Sequence, residues 1–282
     1  MYKEDRLSVV GFGGILVTDE SSPEADRLVG SAIDRGITYF DVAPTYGNAE
    51  EMLGPALERY RKDIFLACKS NLREGAGMER EFNQSLKLLK TDYFDLYQIH
   101  GIQTDEEVDR VIAPGGALEF MVRMQKSGAI RNIGFSAHNE RAAIRLLHHF
   151  HFDSVLFPIN RYVWHNGKVG PHLVAAARER DTIVLALKAL AHRRWRDGET
   201  RGWSKTWYKP VDSAVEAEKG ARFTLSRPVT AAVSPGHEEL FTWMCDAADR
   251  FSPLSEAEEE EIKNEVVREA PEVLFSQRIG AI

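Results

Sequence analysis

Cysteine is scarce in this chain of 282 residues, which contains only Cys68 and Cys245. The two do not form the CxxC spacing that metal-binding and redox motifs share, so neither a disulfide framework nor a zinc or iron–sulfur site is predicted. Long apolar runs are missing as well, since no stretch approaches the roughly 20 residues of a membrane-spanning helix. The sequence therefore predicts a protein without a metal site that does not span a membrane.

Positive charge is also in deficit. The formal net charge is −7, which argues against a general nucleic-acid binder or a protein that binds membrane surfaces. The first six residues, MYKEDR, carry no hydrophobic signal core, and this predicts a cytoplasmic location. The apolar content of 43% and charged content of 28% are typical of an ordinary globular protein.

The chain does contain a regular series of strand patterns. Eight segments have the length of buried strands, and most are rich in β-branched, aromatic and other apolar residues. The predicted strands are residues 7–16, 37–42, 63–70, 93–100, 130–136, 155–160, 182–188 and 229–234.

A helical pattern follows each of these strands. The predicted helices cover residues 22–35, 48–61, 79–89, 119–127, 173–180 and 211–225, with further helix starts at 137–139 and 238. Strict alternation permits an open doubly wound sheet or a closed barrel, and eight units in under 300 residues favour the barrel. We expect a single-domain (β/α)8 TIM barrel over residues 1–282. Its C-terminal helical extension opens with the capping box of Ser255 and Glu258.

Polar side chains stand at the ends of three consecutive predicted strands. Asp41 is near the end of the second strand and Tyr46 lies in the loop after it, while Lys69 and His100 are at the ends of the third and fourth strands. Each alone has a simpler structural explanation, such as a capped turn or a lysine that reaches solvent. In a parallel barrel, however, these strand ends meet at one rim, where active sites collect.

Together the four side chains suggest acid catalysis. A phenol has an ordinary pKa of about 10 and is a poor acid at neutral pH. A neighbouring ammonium stabilises the phenolate, a carboxylate keeps that ammonium charged, and a histidine can donate a hydrogen bond to a carbonyl oxygen. The set predicts a general acid for an oxygen that becomes an alkoxide, with electrons from a separate donor.

Several motifs of this chain resemble those of the aldo-keto reductase superfamily. They are GITYFDVAPTYG at residues 36–47, Lys69, DLYQIH at 95–100, IGFSAHN at 133–139 and LFPIN at 156–160. The resemblance implies a (β/α)8 barrel that uses NADPH, or NADH, to reduce aldehydes and ketones. It implies that Tyr46 is the acid, that Lys69 tunes its pKa with Asp41 as partner, and that His100 orients the carbonyl.

The resemblance also implies positions for the cofactor. Ser136, Asn139 and Asn160 match residues that hold the nicotinamide carboxamide, and Ser234 and Gly236 match a phosphate-binding segment at a helix start. Gly13 and Gly14, which allow close backbone approach, and Lys188, at the end of the seventh strand, complete the expected cofactor set. Trp164 and Trp207 are expected to contact the substrate.

Two regions depart from the family pattern, the segment after the last strand and the C-terminal tail. Residues 234–239, SPGHEE, are acidic and have only His237 as a cation for a 2′-phosphate, so the choice between NADPH and NADH stays open. The loop at residues 191–209 is basic and contains three tryptophans, which predicts a lid over cofactor or substrate. Its cations are Arg193, Arg194, Arg196, Arg201, Lys205 and Lys209. Some bacterial relatives carry C-terminal iron–sulfur clusters, but no cysteine follows Cys245 here.

These residues can be compared with the requirements of three functions. The favoured one is a carbonyl reductase, or an alcohol dehydrogenase in reverse, whose partner is a small carbonyl or alcohol. An alternative is a nucleotide-sensing regulatory protein with slow turnover on the same scaffold. A barrel lyase or isomerase for phosphosugars is disfavoured, because the strand ends offer neither metal ligands nor a paired acid and base. The substrate and the oligomeric state are not predicted.

Overall fold

The computed structural model describes residues 7–269 and 271–276. Residues 1–6, on which the expected cytoplasmic location relies, lie outside the described residues. Within the described ranges, every helix is too short or too polar to traverse a lipid bilayer.

Eight parallel strands form a closed barrel, as predicted, in the order β1-β2-β3-β4-β5-β6-β7-β10. The strands are β1 (Val10–Gly13), β2 (Tyr39–Asp41), β3 (Phe65–Ser70), β4 (Phe94–Ile102), β5 (Ile130–Ala137), β6 (Ser154–Pro158), β7 (Ile183–Leu187), β8 (Ala191–Arg194), β9 (Tyr208–Pro210) and β10 (Ala231–Val233). The strands β8 and β9 form a separate antiparallel hairpin that the sequence does not predict.

Helices cover the outside of the barrel. They are α1 (Ser22–Asp34), α2 (Ala49–Leu57), α3 (Gly75–Leu88), α4 (Asp105–Ile112), α5 (Ala117–Ser127), α6 (Glu140–His149), α7 (Arg161–His165), α8 (Pro171–Glu179), α9 (Ala214–Leu225), α10 (Glu238–Asp249) and α11 (Glu256–Glu269). The helix α4 is absent from the predicted set, although Thr104 and Glu107 form a capping box at its start. The predicted extension is present as α11, with the Ser255 and Glu258 box formed.

Side-chain alternation divides the strand residues between the barrel interior and the layer beneath the helices. The interior cluster contains Tyr39, Phe65, Ala67, Leu96, Leu156, Leu185, Ala231 and Val233. Cys68 points to the helix layer, as period-two alternation predicts. The same alternation places Lys69 on the interior row of β3, at its carboxyl end.

The first strand is shorter than predicted. The chain leaves β1 after Gly13 and forms a 3-10 turn over Gly14–Val17. A side chain at Gly14 would place its Cβ 2.9 Å from Val42, so only glycine fits where the backbone turns against the loop after β2. The turn brings Leu16 and Glu20 to the rim of the barrel.

The basic loop folds back across this rim. Residues 195–207, which we call the strap, connect β8 to β9. The indole of Trp203 packs near His237 and Trp243, with ring centres 5.3 and 6.0 Å away. The Lys205 backbone N–H donates to Nε2 of His237 at 2.9 Å, and its ammonium donates to Glu20 at 2.6 Å. The carboxyl ends of the barrel strands surround an opening that we call the mouth. The strap crosses it and connects the segment after β7 with the segments after β1 and β10.

Candidate active site

A buried ion pair between Asp41 and Lys69 forms the base of the site. The Lys69 ammonium donates to Oδ1 of Asp41, and both side chains are at most 2% exposed. Burial opposes the charged form of Lys69, but the Asp41 carboxylate outweighs it, and the pKa of Lys69 lies above its usual value. Lys69 is therefore a permanent cation at neutral pH.

Two further side chains, both missed in the sequence, hold Asp41. The Nε2 of Gln98 donates to Oδ2 of Asp41 at 3.0 Å, and the Tyr39 hydroxyl donates to the same oxygen at 3.4 Å. Gln98 follows Leu96, an interior residue of β4, by two positions, so period-two alternation places it in the barrel interior, a signal that the sequence does contain. These contacts fix the carboxylate, which in turn fixes Lys69.

Tyr46 lies above the ion pair in the turn between β2 and α2. Its ring centre is 5.2 Å from the Lys69 ammonium and 6.0 Å from the centre of the His100 ring, which stands edge-on at 88°. Burial raises the pKa of Tyr46, and although the Lys69 charge opposes this, the net direction is upward. Lys69 thus acts in the expected direction, but the phenol stays fully protonated at neutral pH.

His100 sits at an irregularity of the barrel. The pairing of β4 with β5 shifts register between Ile99 and Ile102, and Gly101 adopts a left-handed φ of 68°. Such a bulge turns a side chain away from the regular pleat, here toward the mouth. The Gly101 N–H donates to Oγ of Ser136 at 2.7 Å, so Ser136 also supports this turn.

The ring of His100 is neutral. Burial lowers its pKa to about 3, and the charges of Lys69, Lys188 and Arg73 add to the shift. Arg73, which the sequence analysis missed, is 5% exposed and donates to the Gly101 carbonyl at 3.4 Å and to Glu107 at 2.9 Å. A neutral imidazole surrounded by cations can donate one N–H to a carbonyl oxygen.

A second phenol, also missed, approaches from the hairpin. Tyr208 at the start of β9 is buried, and its pKa lies above the usual value because of burial and the proximity of Tyr46. The hairpin thus brings a second neutral phenol near Tyr46, from a segment that is distant in the sequence.

The expected phosphate segment forms a close-packed cradle. The Gly13 N–H donates to Oγ of Ser234 at 3.0 Å, and a Cβ on Gly13 would lie 2.5 Å from the Ser234 carbonyl oxygen. A Cβ on Gly236 would lie 2.8 Å from Ile15 and 3.0 Å from Lys205 in the strap. The helix α10 begins just beyond, and its N-cap residue, His237, forms no side-chain hydrogen bond to the first N–H groups of the helix.

The two predicted carboxamide-binding asparagines also cap helices. The Oδ1 of Asn139 accepts the N–H of Ala142 at the start of α6. The Oδ1 of Asn160 accepts two N–H groups at the start of α7, and its Nδ2 donates to the Lys188 carbonyl at 3.1 Å. Each side chain keeps at least one amide N–H for a ligand.

The two predicted substrate residues lie in different places. Trp207 is at the mouth, 49% exposed, with its ring 5.3 Å from the Lys188 ammonium. Trp164 points to a groove on the outer side of the barrel, where it contacts Phe223 and Arg227 and lines a wall with Pro171 and Pro228. The structure does not bring Trp164 together with Tyr46.

Most cations of the loop at residues 191–209 form ion pairs with carboxylates. Glu199 accepts two bonds from Arg193 at 2.7 Å and one from Lys209 at 3.2 Å. Lys205 pairs with Glu20, and Arg194 donates to the carbonyl of Leu274 at 2.9 Å. These side chains stabilise the hairpin, the strap and the C-terminal segment, so their charge is largely neutralised within the protein.

Similar folds occur among solved structures. The barrel superimposes on the aldo-keto reductase AKR11C1 from Bacillus halodurans with a TM-score of 0.73 at 21% identity, covering 96% of this chain and 95% of that one. A second example is a putative aldo-keto reductase from Pseudomonas aeruginosa, with a TM-score of 0.67 over 86% of this chain and 91% of that one, at 22% identity. At these identities the likeness concerns the fold.

Sequence comparison also identifies relatives of this chain. The chain is 34% identical over 145 residues to the Uncharacterized oxidoreductase YqkF of Bacillus subtilis, and 32% identical over 144 residues to the Aldo-keto reductase YhdN of the same organism. Each alignment covers 46% of this chain, and 45% and 42% of the two relatives, so it spans less than half of their length. The model of the aldo/keto reductase family, however, matches residues 9–243. The chain therefore belongs to the aldo/keto reductase family.

Proposed function

We propose that this protein is an NAD(P)H-dependent oxidoreductase that reduces an aldehyde or ketone to an alcohol, or catalyses the reverse reaction. The observation that carries the proposal is the buried Lys69, which is held by Asp41 and lies 5.2 Å from the ring centre of Tyr46. Burial of an ion pair costs free energy of folding, so stability alone does not explain this arrangement. A buried ammonium close to the phenol instead favours proton donation from that phenol.

The residues present fit a nicotinamide dinucleotide. The contacts of Gly13, Ser234 and Gly236 bring backbone close to the uncapped start of α10, where helix N–H groups favour phosphate. Ser136, whose oxygen accepts from Gly101, still has its hydroxyl proton to donate to a carboxamide. Asn139 and Asn160 offer the remaining amide donors.

The preference between the two nucleotides is expected to be small. Arg27 pairs with Glu238 and Lys205 pairs with Glu20, so the cations beside the phosphate segment are engaged by carboxylates. An exposed ion pair with a 2′-phosphate contributes at most about 1 kcal/mol, a factor of less than about ten in the dissociation constant. We expect NADPH to bind more tightly, with NADH usable.

A bound reduced nicotinamide supplies a hydride to the carbonyl carbon. The carbonyl oxygen accepts hydrogen bonds from the Tyr46 hydroxyl and from the neutral His100 ring. As the C–O double bond gives its electron pair to oxygen, the Tyr46 proton passes to that oxygen and an alcohol results. The Lys69 ammonium, fixed by Asp41, stabilises the phenolate until solvent returns the proton.

A nucleotide titration tests this function. NADPH and NADH are titrated separately while quenching of tryptophan fluorescence is followed, and an aldehyde is then added to measure its NADPH-dependent reduction. Micromolar binding with aldehyde-dependent oxidation of the nucleotide supports the proposal. Tight binding without turnover of a panel of aldehydes and ketones would favour the nucleotide-sensing alternative, and the absence of binding to either nucleotide would overturn both.

A further inference from the structure

Lys188 is a cation at the mouth that has no acidic partner in the described part of the chain. It follows β7 with a left-handed φ of 63°, an unfavourable conformation for a side chain other than glycine. Its carbonyl accepts hydrogen bonds from Nδ2 of Asn160 and from the N–H of Ala191, which hold this conformation. Its ammonium lies 3.1 Å from Nε2 of His138.

Aromatic rings form the walls around this ammonium. The rings of Trp207 and Phe275 have their centres 5.3 and 5.6 Å from it. Phe275 also stacks on His138, with ring centres 4.9 Å apart and planes within 8°. These rings attract a cation through their faces, but they offer it no counter-charge.

The ammonium points away from the expected phosphate site. Lys188 follows β7 and its contact His138 follows β5, so the side chain reaches across the end of β6. Ser234 and Gly236 follow β10, on the opposite side of β7. The charge of Lys188 is instead felt at His100, in the centre of the mouth. It therefore lies beside Ser136, Asn139 and Asn160, the residues proposed for the nicotinamide carboxamide, and not beside the phosphates. A carboxamide is neutral, so a negative charge at Lys188 would come from the substrate.

We propose that Lys188, whose ammonium is positioned by His138, binds a carboxylate on the carbonyl substrate, so that this enzyme acts on oxo-acids. This inference rests on the proposed reductase function and names its substrate class. The sequence predicts that Lys188 contacts the cofactor. In this proposal Lys188 instead selects the substrate. The carbonyl would lie at Tyr46 and His100, and the carboxylate would lie on the β5 and β7 side.

The physical reason is the cost of an unpaired charge. A partly buried ammonium without a carboxylate is unfavourable, and burial together with the Lys69 charge lowers the pKa of Lys188 to about 7. A substrate carboxylate would supply the missing partner through a short charge-assisted hydrogen bond. The chain as a whole carries a net charge of −7, so a positive mouth is a local feature.

A matched pair of aldehydes tests the inference. The probes are 4-carboxybenzaldehyde and its methyl ester, which differ in the carboxylate, and the variants are Lys188→Met and the exposed-site control Lys168→Met. We expect Lys188→Met to raise KM for the acid at least about tenfold, as loss of one charge-assisted bond implies. KM for the ester and the NADPH dissociation constant should not change, and the unfolding temperature should rise, because the variant removes an unpaired charge. The control should behave as the wild type.

Two outcomes would overturn the inference while leaving the reductase function intact. Equal changes of KM for acid and ester would show that Lys188 does not distinguish the carboxylate. A parallel rise in the NADPH dissociation constant would show that Lys188 binds the cofactor instead.

A binding measurement separates this inference from the proposed function. Benzoate is titrated into the protein with oxidised cofactor present, and quenching of the adjacent Trp207 is followed, with methyl benzoate as the neutral control. Saturable quenching by benzoate that is lost in Lys188→Met supports the anion site even if neither aldehyde is reduced, in which case the reductase function alone fails. Equal binding to both proteins would place the anion elsewhere and overturn the inference.

Discussion

Lys69 donates a hydrogen bond to Asp41 between the adjacent strands β3 and β2, and both side chains are almost completely buried. Breaking such a pair leaves an uncompensated charge, which costs about 3–5 kcal/mol. The pair lies where its ammonium approaches the Tyr46 ring. We therefore relate the free-energy cost of burying the pair to the proposed proton transfer from Tyr46.

Asp41→Asn should reduce both stability and turnover. The variant leaves Lys69 buried without the carboxylate that keeps it charged, so we expect the unfolding temperature to fall. With a smaller charged fraction of Lys69 to stabilise the phenolate, we expect kcat to drop at least about tenfold, the effect of one pKa unit. Thermal unfolding and steady-state kinetics measure the two effects. The double variant Asp41→Asn, Lys69→Met should recover part of the stability but none of the activity; recovery of both would contradict the role of the pair.

Gln98→Met tests a positioning residue that the sequence analysis missed. The substitution keeps the length of the side chain but removes the 3.0 Å bond to Asp41. We expect kcat to fall by about threefold to thirtyfold, the effect of about 1 kcal/mol or more per lost hydrogen bond, with KM and the NADPH dissociation constant unchanged. Gln98→Glu, which cannot donate when ionised, should be no better. An unchanged kcat in both variants would show that Gln98 does not position Asp41 for the reaction.

The strap should control cofactor release. Lys205→Met removes the bond from the strap to Glu20 and to the Leu16 carbonyl, so we expect faster dissociation of NADPH in stopped-flow fluorescence. Glu20→Gln should act in the same direction, and the double variant should add little because both changes break one link. Equal dissociation rates for wild type and all three variants would show that the strap does not retain the cofactor.

The affinity for an oxo-acid should fall above about pH 7. An anion binds to protonated Lys188, whose pKa is lowered to about 7, so the protonated fraction declines about tenfold for each further pH unit. The facing groups do not interfere: His138 and His100 have pKa values of about 2 and 3 and stay neutral, and Lys69 stays charged. KM for 4-carboxybenzaldehyde against pH measures this, with the methyl ester as a pH-independent control.

The pattern of the sequence predicts the barrel and the grouping of the four candidate site residues because both depend on local signals. Alternation of strand and helix specifies the (β/α)8 fold, and the ends of consecutive parallel strands must be neighbours. This places Asp41, Lys69 and His100 on one rim before any coordinates are known. The roles of these residues and of Tyr46 stay predictions that the variants must test.

Other features depend on contacts between distant segments. Lys205 and Glu20 are separated by 185 residues, and Phe275 reaches His138 from the far end of the chain. No periodicity or motif indicates such pairs. Trp164 illustrates the same limit, because its position after β6 suggested the mouth, whereas the short helix α7 turns it toward Phe223 outside the barrel. The helix α4 is different, since its capping box was readable in the sequence.

Tyr46→Phe is the most direct test of whether Tyr46 donates the proton. The measurement is aldehyde-dependent oxidation of NADPH by wild type and variant, together with the NADPH dissociation constant of each. We predict that turnover falls by about a hundredfold to ten-thousandfold, the usual contribution of a general acid, while the dissociation constant stays within about twofold, since the ring is retained. Turnover that survives the loss of the hydroxyl, or a parallel loss of NADPH binding, would contradict the account.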